Sequence, residues 1–382
     1  MDTTSAELKA WAYLNRVIEG THPEMTSLIA QYGPVEVAER IQARRALSPS
    51  VARATETRAE VDCASADLEQ AGQLGYRLIA PGMSEWPEEL FAAFATLEVA
   101  DRADAPPLAL WVRGRSLREL TQEAVALVGT RAATRYGISA AQQLAQSLVG
   151  AGVTVISGGA LGIDAAAHQA ALSAGGSTIA VAAAGPGVVY PRRHGELFDH
   201  IAQTGAVVSE YPPGTPPARH RFLTRNRLVA ALSQATVVVE AGWRSGARNT
   251  ATWATRLGRP LGAVPGQISA PAASGCHDLI RSGQAVLVAS AENIRALYRP
   301  VGDIDEDGQL ALEWQQSPVQ ALSRNELAVY DALEEGVSQP AAQLAASAGL
   351  SVRLTTHLLL ELLNRGLSAR VAGGWRRVVT AE

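Results

Sequence analysis

The residues of this chain best suited to chemistry are anion binders, and they fall in two stretches. In the first, Ser157-Gly158-Gly159-Ala160-Leu161-Gly162 follows the apolar run Val153, Val155 and Ile156 and leads into Asp164-Ala165-Ala166-Ala167-His168. That order reads as strand, glycine turn and helix start. Glycines let the backbone approach an oxyanion, and first-turn N–H groups point at it with the helix dipole behind them. The second stretch is Arg219-His220-Arg221-Phe222-Leu223-Thr224-Arg225-Asn226-Arg227. Between Glu210 and Pro260 the only acids are Glu210 and Glu240, against Arg219, Arg221, Arg225, Arg227, Arg244, Arg248, Arg256 and Arg259. Guanidinium groups offer bidentate contacts to phosphate, and a basic run without interleaved acids suits a polyanion groove.

Phe222, one of only 4 phenylalanines, sits inside that cluster. A flat ring among phosphate-binding groups is what a single-stranded nucleic acid requires, since stacking contributes about 1–3 kcal/mol per base. The competing reading packs Phe222 into the core at a helix start. One helix face cannot present Arg225, Asn226 and Arg227 together, so one or two of them are expected to be structural, paired with Glu210 or Glu240. Asp164 is expected to cap the glycine loop as a first-turn acid. His168 is expected to be a structural hydrogen-bonder.

The elements that must position these residues are regular from Val125 onward. Strands fit Val125–Val128, Val153–Ile156, Thr178–Val181, Ala206–Val208, Thr236–Val239 and Leu261–Val264, with helical stretches near 138–149, 164–172, 197–203, 223–232 and 250–256 between them. Continuous apolar strands alternating with helices imply a parallel α/β sheet covered on both faces, whose ligands sit at the carboxyl ends of the strands. The polar clusters all fall on those ends, at Gly129-Thr130-Arg131, at the glycine loop, at Ser209-Glu210-Tyr211-Pro212 and at Glu240-Ala241-Gly242.

Around this core, residues 1–60 read as a helical domain, 61–300 as the sheet core with a lead-in containing strands near Tyr76–Ile79 and Leu108–Val112, and 301–317 as an acidic linker without a basic residue. Residues 318–382 read as three helices and a hairpin, a winged-helix-like layout compatible with duplex DNA or with a protein partner. The chain has 382 residues, a net charge of −4 and 2 cysteines. There is neither a disulfide framework nor a cysteine metal cluster, no apolar run long enough to span a bilayer and no secretory signal pattern. A cytoplasmic protein without a metal or cofactor is expected.

Taken together the motifs resemble the DNA-processing protein A (DprA/Smf) family. The resemblance rests on Val128-Gly129-Thr130-Arg131, Ser157-Gly158-Gly159-x-x-Gly162-Ile163-Asp164-x-x-x-His168 and Val189-Tyr190-Pro191. It continues through Ser209-Glu210-Tyr211-Pro212-x-Gly214, Phe222-x-x-Arg225-Asn226-Arg227, Glu240-Ala241, Ser245-Gly246 and Pro265-Gly266, and spans roughly Gly75 to Ile294. It implies an extended Rossmann-like core with a SAM-like helical N-terminal domain and a winged-helix-like C-terminal domain. It also implies a non-catalytic homodimer that binds single-stranded DNA without sequence preference, protects it during natural transformation and loads the RecA recombinase. The DNA-binding residues expected on this basis are Arg131, Ser157, Gly158, Gly159, Gly162, Arg219, Phe222, Arg225, Asn226 and Arg227. Arg248 departs from the family's apolar pattern and is expected to add a phosphate contact.

Two enzyme classes compete. A nicotinamide site wants Gly-x-Gly-x-x-Gly and an acid at the end of the next strand, but that strand ends Val181-Ala182-Ala183-Ala184. A nucleotide phosphoribohydrolase of the lysine-decarboxylase-like group wants a glutamate after a late glycine-rich strand end. Here Glu240-Ala241-Gly242-Trp243-Arg244-Ser245-Gly246 carries none at that spacing, so the acid–base carboxylate is missing.

Overall fold

The computed structural model describes residues 4–299, 319 and 322–378. The chain divides into two compact units, Met1–Gly302 and Asp303–Glu382. The acidic stretch expected as a linker, 301–317, lies outside the described residues.

The first unit is built on a nine-stranded sheet. Its strands are β1 (Tyr76–Ile79), β2 (Leu110–Gly114), β3 (Ala124–Gly129), β4 (Thr154–Ser157), β5 (Thr178–Ala182), β6 (Ala206–Ser209), β7 (Ala235–Glu240), β8 (Leu261–Ala263) and β9 (Val286–Leu287), in spatial order β1-β2-β6-β5-β4-β3-β7-β8-β9. All neighbours pair in parallel except β1 with β2 and β2 with β6. The lead-in strands therefore extend the expected parallel sheet with an antiparallel edge.

Period-two alternation works here in a strand with no polar face. Val125 and Leu127 of β3 pack on one side of the sheet, and Ala124, Ala126 and Val128 pack on the other. Helices cover both sides, as buried parallel sheets require. From β3 the chain winds outward through β4, β5 and β6, then crosses back to β7 on the far side of β3. Loops leaving the ends of β3 and β7 part to opposite faces, which opens a crevice at that switch point.

Helices Ser5–Ile18, Pro23–Tyr32, Pro34–Gln42, Pro49–Thr55 and Ala64–Gln73 precede the sheet. Thr4 begins the first with a reciprocal capping box to Glu7. The boundary expected after residue 60 does not divide the core, because Trp11, Leu14 and Val17 share one apolar cluster with Leu78, Ala109 and Trp111 of the lead-in strands. Buried Asn15 pins the junction. It accepts from Trp111 Nε1 at 2.9 Å and donates to the Glu210 carbonyl at 2.8 Å.

In the second unit, helices Arg324–Ala332, Ala341–Ala348 and Val352–Asn364 are the three helices expected there. They enclose Val329, Leu344, Leu359, Leu362 and Trp375. The hairpin of β10 (Ser368–Val371) and β11 (Gly374–Arg377) completes the winged-helix-like layout.

Candidate functional site

The switch-point crevice has a volume of about 790 Å³ and is lined by Arg131, Gly158, Tyr190, Arg219, Phe222, Arg225, Asn226 and Arg244, among others. It therefore gathers residues from the ends of β3, β4 and β7 and from the arginine cluster. Of the expected DNA-binding residues it brings together Arg131, Gly158, Arg219, Phe222, Arg225 and Asn226.

The sorting is done by one helix. It spans Arg219–Ala231, starting four residues before the expected position, so the arginine cluster forms its first turns rather than a preceding loop. Positions 219, 222 and 226, at i, i+3 and i+7, fall on the face turned to the crevice. Arg221 turns away instead. It pairs with Glu19 of the N-terminal helices and donates to the Pro216 carbonyl at 2.5 Å.

Phe222 stands on the rim, outside every apolar core cluster among the described residues, so the core-packing reading does not hold. Its ring centroid lies 5.3 Å from that of Tyr190 at 60°, and the Arg131 guanidinium lies 4.9 Å from it. Arg219 and Arg244 are exposed and form no ion pair among the described residues. The helix start itself adds positive potential, since Ala218 provides no side-chain cap and no acid occupies the first turn. Helix Ala247–Arg256 also begins at the crevice, where Ser245 Oγ accepts from the Ala247 N–H at 3.3 Å. The uncapped N-terminus of helix Arg219–Ala231, beside Arg219 and Arg244, forms a field suited to phosphates.

The glycine loop does different work from that expected. The Asp164 carboxylate accepts from the backbone N–H of Gly158 at 3.1 Å and of Ala160 at 3.4 Å. The anion cradle is thus filled by the chain's own acid, which corrects the expectation that the Ser157–Gly162 turn holds a phosphate. Ser157 is fully buried, donating to the Leu127 carbonyl at 2.6 Å, and is removed from the expected contact set. Gly159 and Gly162 also stay out of the crevice. Both have positive φ, and a Cβ at Gly162 would strike the Thr130 carbonyl while one at Gly159 would lie 2.7 Å from the Phe198 ring. They shape the loop without facing a ligand.

Behind the loop, Arg225 donates to the carbonyls of Gly158 and Val181. Burial pulls its guanidinium down to about 10, with the nearby Asp164 carboxylate opposing, so it remains charged at neutral pH. Burial likewise pushes the Asp164 carboxyl up against the pull of Arg225 and the loop amides. Arg227 is fully buried in an ion pair with Glu210. Of the two partners considered for the structural residues Glu210 is the one used, and Arg227 leaves the contact set. Glu240 instead accepts from Thr134 N at 2.8 Å and Thr134 Oγ1 at 2.6 Å. Arg248 also leaves the set. It pairs with Asp278 at 2.9 Å and lies 5.0 Å from the Trp243 ring.

His168 is buried, as a structural histidine should be. Thr178 Oγ1 gives its proton to the Val155 carbonyl at 2.7 Å, so it accepts from His168 Nδ1 at 2.7 Å, which fixes the tautomer. Burial lowers the imidazole to about 3, helped by His194 and Arg225.

Sequence reasoning missed Tyr190 and Arg244 as site residues. Tyr190 lay within the Val189-Tyr190-Pro191 motif, and Arg244 within the acid-poor run. Neither signal said that these loops from different strands meet.

The family model described as "DNA recombination-mediator protein A" matches residues 77–299. A putative DNA processing protein DprA of Mycobacterium tuberculosis is 44% identical over 370 residues, covering 96% of this chain and 94% of that relative. Protein Smf of Escherichia coli is 36% identical over 287 residues, covering 71% of this chain and 72% of its own length. Among solved structures, DNA processing protein A from Streptococcus pneumoniae superposes with a TM-score of 0.62 at 29% identity, over 78% of this chain and all (100%) of that one. A Helicobacter pylori DNA processing protein A, described for its single-stranded DNA binding mode, superposes with a TM-score of 0.50 at 30% identity, over 58% of this chain and 95% of that one.

Proposed function

The chain belongs to the DNA recombination-mediator protein A family, and from that premise we propose that its crevice grips single-stranded DNA without reading sequence. The strand would be protected there on entry during natural transformation and passed to the RecA recombinase in the cytoplasm. The observation that carries the reading is the placement of Phe222 and Tyr190 beside Arg131, Arg219 and Arg244 at the switch point. Aromatic faces accept any base and guanidinium groups take the phosphates, so affinity needs no base-edge code.

The reading is non-catalytic. Around the crevice the carboxylates are already engaged, Asp164 by loop amides, Glu240 by Thr134 and Glu210 by Arg227. A phosphoribohydrolase would need one of them free for proton transfer. Among the described residues no helix is long and apolar enough to cross a membrane. Homodimer formation is part of the same proposal, and the exposed Val286 and Leu287 on edge strand β9 support it as an apolar surface to cover.

The test is fluorescence-polarisation binding to a labelled poly-dT oligomer across salt. Arg219→Glu and Phe222→Ala each weaken binding, and the slope of log affinity against log salt shrinks for the arginine change more than for the aromatic one. Equal affinity for duplex and single strand, or release of free base from nucleoside monophosphates at enzymatic rates, overturns the reading.

A further inference from the structure

The crevice lining includes Arg244 and Ser245, and the residue that precedes them in the chain, outside that lining, is Trp243. Its side chain is 60% exposed, whereas Trp11, Trp86, Trp111, Trp253 and Trp375 are all buried. A large aromatic left in water costs hydrophobic stabilisation, and this one is held in place. The Arg248 guanidinium lies 5.0 Å from its ring centroid, and Asp278 fixes that guanidinium through a 2.9 Å ion pair. Asp278 is in turn bridged by Arg281 at 2.8 Å. The indole is thus braced by a cation, while most of its surface remains open to solvent beside Arg244, which forms no ion pair among the described residues.

We propose that Trp243 is a second base-stacking platform, taking a nucleotide further along the strand than the one received by Phe222 and Tyr190. The inference rests on the single-strand reading of the crevice. It also gives Arg248 a role that differs from the expected phosphate contact, since Arg248 supports the ring from behind. Arg244, adjacent in sequence and lining the crevice, supplies the phosphate contact between the two platforms. A stacking platform serves any base, so the second site lengthens the footprint without adding sequence preference.

The experiment uses the full chain and dT oligomers graded from a few nucleotides to about twenty. Trp243→Ala lowers affinity for the longer oligomers by at least about fivefold, the lower bound for one lost stack, and leaves the shortest ones unaffected. Trp243→Phe restores most of the affinity. Tryptophan emission of the wild type is quenched by saturating dT oligomer, and the quenching disappears in Trp243→Phe although that variant still binds. Far-ultraviolet circular dichroism and the urea midpoint stay at wild-type values in both variants, as expected for an exposed side chain. Trp243→Ala binding every length as the wild type does, while Phe222→Ala is impaired, overturns the second platform and leaves the first reading standing. If Phe222→Ala also binds normally, the crevice reading itself has failed.

Discussion

The Arg225 guanidinium lies against the backbone of Gly158, bonded to the carbonyls of Gly158 and Val181. A Cβ at Gly158 would collide with it. The glycine of this loop therefore makes room for a buried cation that forms part of the crevice wall. The division between arginines that hold the wall and arginines that face the ligand separates stability from affinity.

Arg225→Ala and Arg219→Glu accordingly give opposite phenotypes. Removing the buried guanidinium takes a charged donor from two carbonyls and leaves Asp164 held by the loop amides alone, which costs about 1–3 kcal/mol. Urea unfolding reads that loss. Arg219→Glu leaves the urea midpoint within experimental scatter and instead lowers poly-dT affinity. Equal stability loss in the two variants would contradict the division.

The ring pair of Tyr190 and Phe222 yields a second expectation. Tyr190→Phe keeps the tilted contact and binds poly-dT as the wild type does, whereas Tyr190→Ala weakens binding by about 1 kcal/mol or more. Arg131→Gln removes a phosphate contact and reduces the salt slope by about one unit. Polarisation titrations at several salt concentrations separate the two effects.

His168 makes the fold acid-sensitive. Its folded-state value of about 3 lies below the ordinary 6.5, so between those values the unfolded chain binds the extra proton. Stability is therefore full above about pH 6.5 and is lost as pH falls toward 3, at about 1.4 kcal/mol per unit, or about 2 kcal/mol by pH 5. His168→Gln, which keeps a donor for Thr178, removes that slope. The check is the difference in urea midpoint between wild type and variant from pH 7.5 to 5, and parallel curves would exclude the role.

Asn15 ties the N-terminal helices to the sheet through Trp111 and the Glu210 carbonyl. Asn15→Ala leaves two buried groups unpaired and costs about 2–4 kcal/mol. Because the helices share a core with β1 and β2, residues 4–299 are expected to unfold in one calorimetric transition. A separate early transition for the N-terminal helices, in wild type or variant, would show that the shared core does not couple them.

Much of this was legible in the chain. Strands β3 to β8 with the helices between them, the three C-terminal helices and the polar strand ends follow from apolar periodicity, glycine placement and the order of the motifs, whereas β9 and the helices Ser274–Arg281 and Ala291–Ala296 were not read from the sequence. The structural role of Asp164 and His168, and the need for some of Arg225, Asn226 and Arg227 to be structural, also followed from residue type and helical geometry. The antiparallel edge of β1 and β2 and the coupling of the first 60 residues to it were not legible, because pairing partners far apart in sequence leave no local signal.

The sequence by itself determined that arginine and a lone phenylalanine would gather at the ends of parallel strands, since composition and period are local properties. Only the tertiary structure decided which guanidinium groups reach water. Arg219 and Arg225 are chemically identical and six positions apart on one helix. Arg219 stands exposed at the crevice, while Arg225 is buried in its wall and bonded to carbonyls from β5 and the glycine loop, because burial depends on which neighbouring loops close over each face, and those loops come from strands that the chain brings together only when the sheet is complete.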